Sequence, residues 1–363
     1  MTHPMDRIMK REDYTLYRIG TPEHYEGLRA LWCKVFGDEP EYVDYFYRSF
    51  GEDIEGFVAT GPAGNVVSAL TCYKCGTYAG CGALDGKPVY VSYAICTDPE
   101  HRGMGLAGEL TSFVRDIVIS DPGAVFTLAD GTPITGKGGV SLVSPAEESL
   151  INFYEALGYK RHFFADYKIA FSDSAFDNAA SDEGDFIEPE FAEGADVSIW
   201  GDDTGDIDGA GVFDPGVSLT PVKADEYNSY RESFLADIPH IALSGKMLEF
   251  IKSESLNGDG LYVINGGDAV CMIQNDAEDD GKLYASELLV DPRLLAISGE
   301  IDSEIASVIA NHFDTEGLPY RTLGAGKCQS MLASSKQITP LGDGGSTCKG
   351  EIDSSAYFGF PVD

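Results

Sequence analysis

The chain has 363 residues, and 60 acidic against 25 basic side chains leave a net charge of −35. Its length suits two domains, each able to bury a core, and 43% hydrophobic residues mark it as globular rather than disordered. Such acidity excludes a protein that tracks nucleic-acid phosphates or docks on anionic membrane, and leaves a cationic or amine-bearing small partner allowed.

The N-terminal residues have no apolar leader stretch, and no run of about 18 apolar residues occurs, so a cytoplasmic location is expected. Residues 14–18 read as a short strand. Residues 22–36 read as a helix, with Thr21 as N-cap and Pro22 in its first position. Leu28, Leu31, Trp32, Val35 and Phe36 recur on one helical face. Residues 55–60 and 65–78 read as strands joined by a Gly-Pro-Ala-Gly turn, and a Gly-rich turn then leads to a strand over 88–97. From Gly105 onward the apolar spacing is that of an amphipathic helix. A strand is expected over 124–130, a helix over 145–157 closed by Gly158, and strands over 159–164 and 166–171.

Residues 172–216 carry 14 acids and no Lys or Arg, which predicts a solvated linker or long interdomain loop. From 217 to 363 helices are expected over 223–236, 245–254 and 301–314, and strands over 260–265, 268–275 and 282–290. The order strand, strand, strand, helix repeats that of residues 55–119, which points to a duplicated architecture. The expected domains are therefore 1–171 and 217–363, in an α/β protein with a mixed sheet (α+β in detail). The eight cysteines are scattered, so reduced thiols are expected, and Cys72-x-x-Cys75 has no second pair at zinc spacing.

The chemistry concentrates where strand 88–97 feeds a Gly-rich turn that opens into a helix. Main-chain N–H groups at a helix start favour an anion such as a phosphate, and Gly103 and Gly105 let the backbone approach it. The plain alternative is an ordinary strand-to-helix turn. Gly103, Gly105 and Gly108 match a dinucleotide fingerprint formally, but the strand ends too early and no acidic residue closes a second strand. The run from Gly131 to Lys137 resembles a P-loop, yet Gly138 stands where Ser or Thr belongs and no helix starts at Lys137.

A better match exists: Arg102-Gly103-Met104-Gly105-Leu106-Ala107 resembles the Arg/Gln-x-x-Gly-x-Gly/Ala core of the GCN5-related N-acetyltransferase (GNAT) superfamily. Downstream, Phe153-Tyr154-Glu155-Ala156-Leu157-Gly158-Tyr159 resembles a second element of that family, with Glu147 in place of its usual Asn. The resemblance covers about residues 14–171. It implies a GNAT fold followed by a degenerate GNAT-like domain, and acetyl-CoA as co-substrate with no metal. The pyrophosphate would sit on the main chain of Arg102, Gly103, Met104, Gly105, Leu106 and Ala107. The pantetheine would pair with the strand edge at Ile95, Cys96 and Thr97.

By the same resemblance Tyr154 is the general acid for the leaving thiolate. An amine must lose a proton before or during attack, and the developing oxyanion needs a donor such as a main-chain N–H near Cys96. Strand 88–97 offers only Tyr90 and Tyr93 as titratable candidates, with Asp98 just past its end. The enhanced-intracellular-survival (Eis) acetyltransferases, a tandem family that the chain also resembles, bring a C-terminal carboxylate into the site, as do N-myristoyltransferases. By that likeness the α-carboxylate of Asp363 is a candidate base, beside a water-relayed base and a purely structural terminus. In the second half, Asp291-Pro292 echoes Asp98-Pro99 but no Gly-rich core follows, so no second CoA site is expected. The expected function is acetyl transfer to a small-molecule or peptide amine. The alternatives are an inactive acyl-CoA-binding sensor or scaffold, and a transferase using another acyl donor.

Overall fold

The computed structural model describes residues 13–80, 82–172, 218–275 and 282–335. The acidic stretch beyond Ser172 and the C-terminal Asp363 lie outside these residues.

In chain order the first elements are β1 (Thr15–Arg18), α1 (Pro22–Phe36), α2 (Pro40–Phe50), β2 (Ile54–Thr60), β3 (Val66–Ala79) and β4 (Pro88–Thr97). Then come α3 (Leu106–Ile119), β5 (Val125–Thr127), β6 (Pro133–Thr135), β7 (Val140–Val143), α4 (Ser149–Ala156) and β8 (Lys160–Phe171). The later part holds β9 (Leu219–Pro221), α5 (Ala224–Phe234), β10 (His240–Leu243), α6 (Gly245–Glu254), β11 (Leu261–Ile264) and β12 (Ala269–Asn275). It ends with β13 (Leu283–Val290), α7 (Pro292–Leu295), α8 (Ile301–His312) and β14 (Gly317–Ala333). None of the described helices is long and apolar enough to cross a membrane.

Two compact units result. Unit 1 holds the described residues up to Phe163, Pro239–Met247 and those from Gln329, and unit 2 holds those of Phe164–Ile238 and Leu248–Cys328. Compared with the expected boundaries, two segments of the C-terminal half are thus counted with unit 1.

In unit 1 the strand order is β1-β2-β3-β4-β7 followed by the end of β14, with β10 paired to β3. The β1–β2, β2–β3 and β3–β4 pairs are antiparallel, and β4–β7 is parallel. Thr21 caps α1 as its residue type predicts, its Oγ1 accepting from His24 N at 3.3 Å. Leu28, Leu31 and Trp32 are buried, whereas Phe36 is half exposed because the helix stops there at Gly37, in the left-handed conformation with φ +83°. Trp32, Phe46, Tyr73 and Tyr93 form an aromatic cluster on one sheet face, with ring centroids 5.1–5.6 Å apart in the Trp32–Phe46, Trp32–Tyr93, Phe46–Tyr73 and Phe46–Tyr93 pairs. Each such pair adds about 0.5–1.5 kcal/mol to area burial. Leu110, Val114, Ile117 and Val118 of α3 pack with Phe57, Leu70 and Cys72 in a separate core.

Within the strand expected over residues 124–130, Val125–Thr127 are extended. They supply β5, which pairs with β6 in a two-stranded hairpin, and the parallel neighbour of β4 is β7. Gly131, with φ +85°, reverses the chain between β5 and β6. Residues 159–164 and 166–171, expected as two strands, form the single strand β8.

In unit 2 the order is β9-β11-β12-β13-β14, with β8 on β14. β11, β12 and β13 are antiparallel, and β13 pairs in parallel with β14 through Ala285 and Tyr320. This repeats the β2-β3-β4-α3-β7 order of unit 1. Ile301, Ile305, Ile309 and Ala310 of α8 enter a core with Ile273, Leu288 and Leu318.

The side of unit 2 that faces α5 contains a buried ion pair. Arg231 Nε donates to Glu287 Oε1 at 3.1 Å, and Tyr227 Oη donates to the same oxygen at 2.7 Å. Glu287 is 4% exposed and Arg231 fully buried. Removing the Glu287 carboxylate takes away the acceptor that buried Arg231 shares with Tyr227, while Arg231 keeps its pair with Glu232 Oε1 at 3.3 Å, so Glu287→Ala is expected to lose about 2–3 kcal/mol of stability in urea titration. Arg231→Met combined with Glu287→Leu is expected to recover most of that loss, since two apolar side chains leave no unpaired charge.

Candidate active site

The site grows from a defect in β4. Its parallel ladder with β7 joins Val89 to Val140, Tyr90 to Ser141 and Val91 to Leu142, and stops there. Its antiparallel ladder with β3 continues to Ser68–Thr97, but with a register shift between Ala69 and Thr71. Three steps on β4, from Tyr93 to Cys96, face two on β3, which makes a β-bulge at Ala94, whose φ is +48°. The strand therefore leaves β7 while staying on β3. One main-chain edge beyond Val91 carries no ladder among the described residues.

The edge runs into the Gly-rich turn. Asp98 Oδ1 accepts from Glu100 N at 3.1 Å and Oδ2 accepts from Lys34 Nζ at 2.7 Å. The Lys34 ammonium, then the Glu100 N–H, hold this carboxyl below its ordinary pKa. Asp98 is thus a turn cap that stays ionised, poorly suited to taking a proton at neutral pH. Arg102 Nε donates to the Thr97 carbonyl at 3.3 Å, which ties the turn back to the strand. Gly103 and Gly105 both have φ +77°, which an L side chain rarely adopts. A Cβ on Gly103 would meet nothing within 4 Å. Gly105 is the N-cap of α3 and no side chain caps that end, so the N–H groups of its first turn remain available to an anion.

Three of the expected contact residues can act only through their main chain: Leu106 and Cys96 have buried side chains, and Ile95 packs against the α3 core. The Cys96 thiol is pushed up to about 12 by burial, so it is no nucleophile at neutral pH. Met104 is 39% exposed, and its Sδ accepts from Tyr14 Oη at 2.8 Å.

Tyr154 lies on α4, which is fastened to α3. Arg115 of α3 donates to the Leu157 carbonyl at the end of α4, and the Phe153 ring lies beside Gly108 of α3. Tyr154 is buried, edge-on to Phe153 at 5.1 Å and to Tyr159 at 6.0 Å. Its hydroxyl has no hydrogen-bond partner among the described residues, and burial raises its pKa to about 12. Tyr159 is structural: its Oη lies 2.8 Å from Ser141 Oγ. Glu147 is exposed and accepts from Ser149 Oγ at 2.9 Å. Lys137, of the P-loop lookalike, instead pairs with Glu55 Oε2 at 2.6 Å and sits over the Tyr90 ring at 5.0 Å.

Sequence reasoning did not single out the Ala94 bulge or Ser68, which is fully buried and bonded to Cys96 and Thr97. The signal for the bulge would have been a mismatch in strand lengths across β3 and β4, which is visible only once the pairing is known.

No known family profile matches the chain, and no curated protein matches it. Solved structures do. A GCN5-related N-acetyltransferase from Anabaena variabilis is 13% identical, with a TM-score of 0.54 over 87% of this chain and 72% of that one. A probable N-acyltransferase from Enterococcus faecalis is 12% identical, with a TM-score of 0.52 over 88% of this chain and 72% of that one. Eis1 from Mycobacterium abscessus is 11% identical, with a TM-score of 0.48 over 88% of this chain and 72% of that one. The first two show the fold: over most of its length this chain is built as a GCN5-related N-acetyltransferase is built.

Proposed function

We propose that the protein is an acetyl-CoA-dependent N-acetyltransferase acting on a small-molecule or peptide amine by direct transfer. The observation that carries this reading is the main-chain edge of β4, unpaired among the described residues beyond Val91, running into two left-handed glycines and a start of α3 that no side chain caps among those residues. An extended amide-bearing arm that ends in phosphates fits this arrangement: the edge offers strand-like hydrogen bonds and the turn offers N–H groups. Acetyl-CoA brings the thioester whose acyl group is transferred.

In this reading residues 102–107 hold the pyrophosphate and Ile95, Cys96 and Thr97 pair with the pantetheine. Arg102 keeps its terminal guanidinium nitrogens free among the described residues while Nε serves the turn, so it can add charge at the phosphates. Tyr154 gives its proton to the departing sulfur. The amine's proton goes to the C-terminal carboxylate of Asp363 or to water. A cationic acceptor suits the net charge of −35, and its rate should then fall as salt rises.

The test is calorimetry with CoA, followed by thiol release from acetyl-CoA over a panel of amines. Binding with turnover supports the reading. Binding without turnover over a broad panel would leave an acyl-CoA sensor, and absence of binding would remove the reading. Gly103→Val is expected to weaken CoA affinity about tenfold, because a left-handed residue with a Cβ costs roughly 1–2 kcal/mol and the turn must leave its φ of +77° to relieve that strain. Titration of the folded variant with CoA checks this.

A further inference from the structure

The end of β4 is held by a short hydrogen-bonded chain inside unit 1. Ser68, on β3 and fully buried, donates Oγ–H to the Cys96 carbonyl at 2.8 Å. The same Oγ lies 2.9 Å from Thr97 Oγ1. A hydroxyl has one proton, so with that of Ser68 on the carbonyl, Thr97 is the donor of the second bond. All this falls just past the bulge, where β4 keeps β3 on one side and has lost β7 on the other.

The consequence follows from peptide geometry. The Cys96 carbonyl and the Thr97 N–H belong to one planar trans unit and point in opposite directions. A carbonyl pinned toward β3 therefore aims the Thr97 N–H at the free edge. In a regular sheet two flanking strands fix such a plane, but among the described residues only β3 flanks this one. The Thr97 carbonyl on the same edge already accepts from Arg102 at 3.3 Å, and the N–H is the donor that Thr97 offers a ligand there.

We propose that Ser68 is a positioning residue for the pantetheine arm: by fixing the Cys96–Thr97 peptide it presents the Thr97 N–H as a donor to an amide carbonyl of that arm. This rests on the acetyl-CoA reading above. Ser68 touches no ligand itself and acts through the strand.

The test compares two probes, CoA and the nucleotide portion of CoA without its pantetheine arm, by calorimetry on the full chain. Ser68→Ala is expected to weaken CoA about threefold to tenfold, the range of one neutral hydrogen bond, and to leave the nucleotide portion within about twofold. Ser68→Thr, which keeps the hydroxyl, is expected to restore CoA affinity. Equal weakening of both probes would make Ser68 a general support of the turn and overturn the proposal, as would unchanged CoA affinity. If the wild type binds neither probe, the cofactor reading falls and this proposal falls with it. Should Ser68→Ala fail to fold, Ser68→Cys, with a thiol as the weaker donor, takes its place in the same comparison.

Discussion

Tyr154→Phe is expected to lower the rate of acetyl transfer by about a hundredfold or more while CoA affinity stays within about twofold. The substitution removes one oxygen and keeps the ring, so the contacts with Phe153 and Tyr159 survive and the melting temperature should hardly move. What it removes is a phenol O–H that has no hydrogen-bond partner among the described residues. In the proposed reading its acceptor is the departing thiolate sulfur. Burial raises its pKa to about 12, since the phenolate is the form that loses hydration. The raised value keeps the proton on Tyr154 through the neutral and mildly basic range. A basic limb in the rate profile at the ordinary phenol pKa would therefore come from another group. Single-turnover rates of wild type and variant across pH measure both effects. A variant that transfers acetyl at the wild-type rate would take the acid role away from Tyr154.

The parts of the site written in local sequence were readable. Strand 88–97 occurs at those residues because Pro88, the β-branched and aromatic residues and the closing Asp98-Pro99 punctuate it. The amphipathic run after Gly105 becomes α3, and the Asp98 and Asp291 echo is real in three dimensions: each carboxylate caps a short helical turn that begins with Pro, accepting from Glu100 N and Arg293 N. What was not readable depends on partners far along the chain. Ala94 looks like any strand residue, and its positive φ follows from unequal residue counts across β3 and β4. Ser68 reads as a small polar residue in an apolar strand until Cys96 and Thr97 are placed beside it. The four residues of β7 are too few for a periodic signal, whereas the longer apolar run over 124–130 was legible as a strand, and its Leu128 packs with Ile134 beside α3. β10 and β14 carry no mark of the strands they join, and Asp363 as base remains a reading from resemblance.

A fragment ending at residue 171 is expected not to form a cooperatively folded unit 1. The sequence offers that point as a domain end, but unit 1 takes two strands from later in the chain. β10 pairs with β3 from Gly76 to Ala79, and Ser244 N donates to the Cys75 carbonyl at 2.9 Å. The approach at Gly76 is so close that a Cβ there would overlap the Ala242 carbonyl. Lys246 then fastens the segment through the Phe50 carbonyl at 2.8 Å and Asp53 Oδ2 at 2.6 Å. On the other side Met331, Leu332 and Ala333 pair with Val143, Leu142 and Ser141. Val140, Leu142 and Val143 are fully buried in the whole chain. Without the end of β14, β7 becomes an exposed apolar edge strand with unpaired main-chain groups, which invites pairing between molecules. The fragment is therefore expected to aggregate or to melt without a cooperative transition, and co-expression with residues 218–363 is expected to restore soluble, cooperatively melting protein. Thermal melts followed by circular dichroism, with sedimentation to score aggregation, decide between the outcomes. A soluble fragment with a sharp transition of its own would show that β10 and the end of β14 only decorate a sheet that residues 13–171 can already close.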